Sequence, residues 1–233
     1  MKNVVITGAS RGIGFETTKL FLSDPTINVI AISRNIAPLQ ALAKEETVGN
    51  RLTCVAMDIT NEDYSSLEIA LEPFDTIDIL INNAGLLINK SFKELTKSDW
   101  QQTFNVNLFG VSQLIQHLLP KLEKTAKAHI VNIGSMGGFQ GSSKFNGLSA
   151  YSASKAALAC FSECLASELI EFDIACNCLC LGAVNTEMLQ TAFPGYKAPL
   201  NSNEMAAFLV DFSQNGHRFF NGRVLPVALG NPG

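Results

Sequence analysis

The chain has 233 residues, of which 47% are hydrophobic and only 16% charged, against roughly 25% charged in ordinary globular domains. Length points to one domain over residues 1–233, and so apolar a composition excludes the disordered class. Seventeen Lys and Arg against 21 Asp and Glu leave a net charge of −4, without the positive field that a nucleic-acid partner requires.

The N-terminal run Asn3-Val4-Val5-Ile6-Thr7 is too short for a signal-peptide core, and no stretch approaches the apolar length of a membrane span. A cytoplasmic protein with no membrane partner is expected. Apolar, β-branched runs recur over residues 3–7, 28–33, 52–57, 77–81, 129–133, 174–181 and 223–228. They lack polar alternation, as strands buried on both faces do. Amphipathic segments at 12–23, 37–46, 61–71, 97–119, 150–172 and 202–213 predict helices between them, with Asn61 and Thr96 as N-caps. This alternation predicts an α/β, Rossmann-type, doubly wound parallel sheet of about seven strands. Cys176, Cys178 and Cys180 alternate in the sixth strand and read as small buried thiols, since no His or carboxylate completes a ligand set. No metal is expected.

The segment Thr7-Gly8-Ala9-Ser10-Arg11-Gly12-Ile13-Gly14 joins the first strand to the first helix. Gly8 suits a sharp turn, Gly12 a close backbone approach to a phosphate, and Gly14 tight packing of helix on sheet. The helix N-terminus then offers free N–H groups to a pyrophosphate. About 20 residues on, where an acidic side chain would meet an NAD ribose, stand Ser33 and Arg34. Arg34, Ser33 and Arg11 suit a 2′-phosphate, so NADP(H) is favoured over NAD(H).

Tyr151 and Lys155 are spaced i,i+4 at the start of a predicted helix, which puts them on one face. An ammonium beside a phenol is expected to lower the phenol pKa, normally about 10, and to equip it as an acid or base. Ser135 ends the fifth strand and Asn82-Asn83-Ala84-Gly85 the fourth. Both lie at the carboxyl rim, where open α/β sheets bind ligands.

In order along the chain, T-G-x-x-x-G-x-G, an Asp after strand three, N-N-A-G, a helical Asn, Ser and Y-x-x-x-K resemble the short-chain dehydrogenase/reductase family over essentially the whole sequence. The resemblance implies that Asp58, followed by Ile59, holds the adenine. Asn83, Ala84 and Gly85 would line the cofactor ribose and steady the sheet. Asn107, Ser135, Tyr151 and Lys155 would form the catalytic tetrad, with Asn107 anchoring a water, Ser135 bonding the substrate oxygen and Lys155 holding the nicotinamide ribose. Val184 and Thr186 would touch the cofactor after strand six. Hydride would pass between the nicotinamide and a small carbonyl or alcohol substrate.

Three features depart from the family pattern. Ser135 and Tyr151 are 16 residues apart, a longer interval than usual, which makes Ser142 and Ser143 substitutes to consider. Leu181 stands where proline is usual. The substrate loop, about 187–201, is short and contains Phe193, Pro194, Tyr196 and Pro199. The helices at 97–119 and 150–172 match those through which relatives pair, so a homodimer or homotetramer is expected, with Phe109, Leu158, Phe161 and Leu165 as contacts or as core. Competing readings are a dinucleotide-binding sensor without catalysis and a dehydratase or epimerase on the same scaffold. An intact tetrad favours catalysis.

Overall fold

A computed structural model describes residues 1–229. Seven strands form one parallel sheet: β1 (Lys2–Thr7), β2 (Ile27–Ser33), β3 (Leu52–Ala56), β4 (Ile79–Asn82), β5 (His129–Ser135), β6 (Ala175–Leu181) and β9 (Val224–Val227). Their spatial order is β3-β2-β1-β4-β5-β6-β9. The order reverses between β1 and β4, and this switch point opens a crevice at the strands' carboxyl ends. A separate two-residue ladder pairs β7 (Val184–Asn185) with β8 (Leu200–Asn201). No short apolar run announced it.

Helices cover both faces. On one, α1 (Gly12–Leu22), α2 (Ala37–Leu42) and α8 (Ser202–Asn215) bury Phe21, Leu39, Leu209 and Phe212 against Val4, Ile6, Val29 and Ile81. On the other, α3 (Ser65–Leu71), α5 (Gly110–Leu122) and α6 (Ser149–Glu168) bury Leu67, Leu114, Leu118 and Leu158 against Val5, Ile30 and Leu80. The alternating directions of β-strand side chains supply the two cores, which is why the strand sequences are apolar throughout.

Helix ends depart from the sequence reading for local reasons. Thr96 caps α4 (Lys97–Phe104) in a capping box with Asp99, as expected. Asn61 caps nothing. The Asp58 carboxylate accepts from Thr60 N (3.0 Å), and α3 starts only at Ser65, whose N–H donates to Asp63. Local Asp-to-backbone bonds thus compete with helix over 58–65. The expected helix 97–119 is three pieces, because residues Asn105–Phe109 form a π turn between α4 and α5. Helix α2 stops at Leu42 and α6 at Glu168, each short of its expected end.

At the junction of the π turn and α5, Gly110 passes very close to the chain after β3. A Cβ there would lie 2.7 Å from Ile59 O. Gly110→Ala is therefore expected to lower stability by about 1–3 kcal/mol, the usual cost of overpacking, and thermal denaturation would measure it. Leu158 and Leu165 are core residues, which removes them as subunit contacts; Phe109 is 51% exposed and Phe161 half-buried.

Candidate active site

The crevice is built by four chain segments. The turn after β1 supplies Gly8, Arg11, Gly12 and Ile13, the end of β4 supplies Asn83, Ala84 and Gly85, α6 supplies Tyr151 and Lys155, and the segment after β7 supplies Thr186, Glu187 and Met188. Glu187 and Met188 were expected only as the start of the substrate loop, not as part of this crevice. They belong to α7 (Glu187–Ala192), whose position depends on the β7–β8 ladder.

Gly8 and Gly12 have φ of +63° and +55°, values that favour glycine. Gly8 also meets the end of β4, since a Cβ would lie 2.9 Å from Ala84 Cα. Gly14 packs beneath the turn against Gly8 O and the Asn83 amide and does not line the crevice. Thr7 is the unforeseen anchor: its hydroxyl accepts from Asn83 N and Ala84 N, each at 3.0 Å, while Asn83 Nδ2 donates to Thr7 O (3.0 Å) and Gly8 O (3.1 Å). The glycine turn and the N-N-A-G segment are thus one hydrogen-bonded unit. Helix α1 begins above it with no side-chain cap and no acidic residue in its first turn. Its first N–H groups keep their capacity for an anion.

A second cluster lies at the ends of β2 and β3. The Ser10 and Ser33 hydroxyls are 2.7 Å apart, and Arg34 Nη1 is 3.8 Å from Asp58 Oδ2. Arg11 pairs with Glu187 at 2.9 Å. Both arginines therefore rest on carboxylates, and both are more than half exposed. The Ile59 side chain is buried in the core, so only its backbone is open to a ligand. Val184 likewise buries its side chain and pairs with Leu200 through β7.

Ser135 comes near Tyr151 in spite of the long intervening loop, close enough for its hydroxyl to favour the ionised phenol, while its Oγ accepts from Gly137 N (3.1 Å). Gly137 and Gly138 explain this. A Cβ on Gly138 would sit 2.6 Å from Ala156 N, so the loop rides directly on α6 and its extra length is taken up beyond the site. Ser142 is no substitute: its buried hydroxyl donates to backbone carbonyls within the loop.

The expected effect of Lys155 on Tyr151 is corrected. Burial dominates and raises the phenol pKa above its ordinary value, with the nearby Ser135 hydroxyl opposing it. The Lys155 ammonium is buried and donates to Ile133 O at 2.7 Å. Desolvation lowers its pKa to about 8. Burial thus favours the neutral phenol. Asn107, fully buried in the π turn, accepts from Leu86 N (2.8 Å) and donates to Leu86 O and Ser154 Oγ (2.9 Å each). Its side chain fixes the strand-four rim against α6.

An uncapped helix N-terminus, glycines at a switch point and a phenol beside an amine define a dinucleotide-binding oxidoreductase site. The sequence matches the short chain dehydrogenase family model over residues 2–197; the chain belongs to that family. It is 27% identical to the 3-oxoacyl-(acyl-carrier-protein) reductase FabG of Chlamydia trachomatis, over 97% of this chain and 95% of the relative. It is 33% identical to a fatty acyl-CoA reductase of Acinetobacter baylyi, over 91% of this chain and 72% of that protein. Among solved structures, 3-ketoacyl-(acyl-carrier-protein) reductase from Brucella melitensis complexed with NADH superposes with a TM-score of 0.88, at 25% identity, over 99% of this chain and 98% of that one. The chain is an NAD(P)-dependent oxidoreductase acting on CH–OH and C=O groups.

Proposed function

We propose that the protein is an NADP(H)-dependent carbonyl reductase in which Tyr151 donates the proton. The observation that carries this reading is the placing of Tyr151 and Lys155 in one crevice with the uncapped start of α1. A nicotinamide dinucleotide, when bound, supplies the hydride. Gly12 and the first N–H groups of α1 hold its pyrophosphate, and Lys155 holds the nicotinamide ribose. Ser135 and Tyr151 bond the substrate carbonyl oxygen. The phenol, neutral because it is buried, gives up its proton as charge develops on that oxygen. Asn107 holds Leu86 through its side chain and anchors, through an oxygen acceptor, the water of the proton relay. Asp58 and the backbone of Ile59 and Val184 contribute cofactor contacts. Assay of NADPH oxidation across aldehydes, diketones and 3-oxo thioesters tests the reading; tight cofactor binding with no turnover would favour a sensor instead.

None of Phe193, Pro194, Tyr196 and Pro199 is buried, so they are free to form an apolar wall for the substrate. Relatives named as acting on acyl-carrier-protein and acyl-CoA thioesters support a carbonyl on an apolar chain. We further propose a homodimer or homotetramer through α4, α5 and α6, with Phe109 at the contact.

Two outcomes follow from the charges. Lys155 is cationic below pH about 8 and loses its charge above it. kcat/KM for the cofactor, which reports the free enzyme, is expected to fall as pH rises through that value. Glu187→Gln frees Arg11 from its ion pair. Exposed pairs are worth about 0–1 kcal/mol, so NADPH affinity is expected to rise by at most about fivefold, with NADH affinity unchanged, by fluorescence titration.

A further inference from the structure

A second cavity lies at the opposite end of the sheet, where the chain enters β5 and β6. Its walls include Lys127, Asp173, His217, Arg218 and Asn221. Lys127 (φ +66°) and Asp173 (φ +54°) are the two non-glycine residues with left-handed backbone among the described residues. Such conformations concentrate where a chain is shaped around a ligand. Neither Lys127 nor Arg218 has a carboxylate within ion-pair distance among the described residues, and the same holds for Lys2. Lys2, Lys127 and Arg218 all act on the His217 ring, facing Asp173 as the opposing carboxylate. His217 Nδ1 is buried without a hydrogen-bond partner. Asn221 accepts from Cys176 N through Oδ1 (3.0 Å), which turns its amide donors to other use.

We infer that this cavity binds a phosphate dianion, as the free ion or as a small phosphate monoester. Lys127 and Arg218 against Asp173 leave the charged walls of the cavity net positive, which suits an anionic ligand, and Lys2 adds positive charge on the His217 side. Arg218 suits bidentate recognition of its oxygens, and Lys127 provides a point charge from the facing loop. The cofactor crevice is at the other rim, so this site is distinct from any phosphate subsite of the dinucleotide.

The test uses the holoenzyme saturated with NADPH, which keeps added phosphate out of the crevice. Histidine labelled with 13C gives three ring signals, from His117, His129 and His217. Inorganic phosphate, and separately glycerol 3-phosphate, is titrated at constant ionic strength held with sodium chloride. The His217 signal is expected to shift saturably and its pH midpoint to rise, while His117 stays still. Arg218→Ala is expected to weaken the effect about tenfold, as is Lys127→Asn, which tolerates the left-handed backbone. Turnover is expected to stay at the wild-type level in both. Tighter binding of the ester assigns a phosphorylated metabolite, and tighter binding of the free ion assigns phosphate itself. A His217 signal that responds no more to phosphate than to chloride in the wild-type protein would overturn the inference, as would binding by both variants as tight as that of the wild-type protein.

Discussion

Tyr151→Phe is expected to reduce turnover by about a hundred- to ten-thousandfold, the range that general acid–base catalysis supplies, while leaving NADPH affinity within about threefold. The reason is positional. Ser135 is near enough to the Tyr151 phenol to act on its pKa, and both stand at the strands' carboxyl rim beside the cofactor crevice. Phenylalanine keeps the ring and removes the hydroxyl, and with it the transferable proton. Nothing in the glycine turn, the Thr7 clamp or the uncapped α1 depends on that hydroxyl, so binding and chemistry separate. Stopped-flow reduction and cofactor titration on the same variant measure the two effects. If both fell together, the phenol would be a structural group and the proposed proton transfer would be lost.

What the residues disclosed in advance divides along physical lines. The parallel sheet was legible because strands covered on both faces must be apolar at every position, as 4–6, 29–32 and 79–81 are. The crevice was legible because Gly8 and Gly12 are glycines for reasons of backbone angle, which composition records directly. The π turn at 105–109 was not, since its one-residue widening leaves the helical pattern of apolar residues nearly unchanged. Nor was the balance of forces on Tyr151. Spacing puts an amine on the phenol's face of the helix, but only the folded environment reveals that desolvation outweighs it and that Lys155 is turned to Ile133 O. Glu187 and Met188 were legible only as the start of a substrate loop, because the chain before them is held by a two-residue ladder with no sequence signature.

Arg34→Asp is expected to reverse the cofactor preference. The change removes a guanidinium at the end of β2 and leaves a carboxylate facing Asp58, whose Oδ2 is the present partner of Arg34 at 3.8 Å. A charge-assisted bond to a phosphate is worth about 1.5–3 kcal/mol, so NADPH affinity should fall at least about tenfold from its loss alone. The repulsion of the new carboxylate adds to that. The same carboxylate can accept from a ribose 2′-hydroxyl, so NADH affinity should hold or improve. Ser10 and Ser33, whose hydroxyls already bond each other, remain to serve either ribose. Because Arg34 is largely exposed and its pair with Asp58 is long, the substitution should leave folding untouched, and thermal shifts with each cofactor read the preference directly. Stabilisation by bound ligand grows with the logarithm of its concentration over Kd, so a reversal of affinity appears as a reversal in the order of the two shifts. Equal shifts with NADPH and NADH in the wild-type protein, or a larger shift with NADH, would remove both Arg34 and Arg11 from the role of holding a 2′-phosphate.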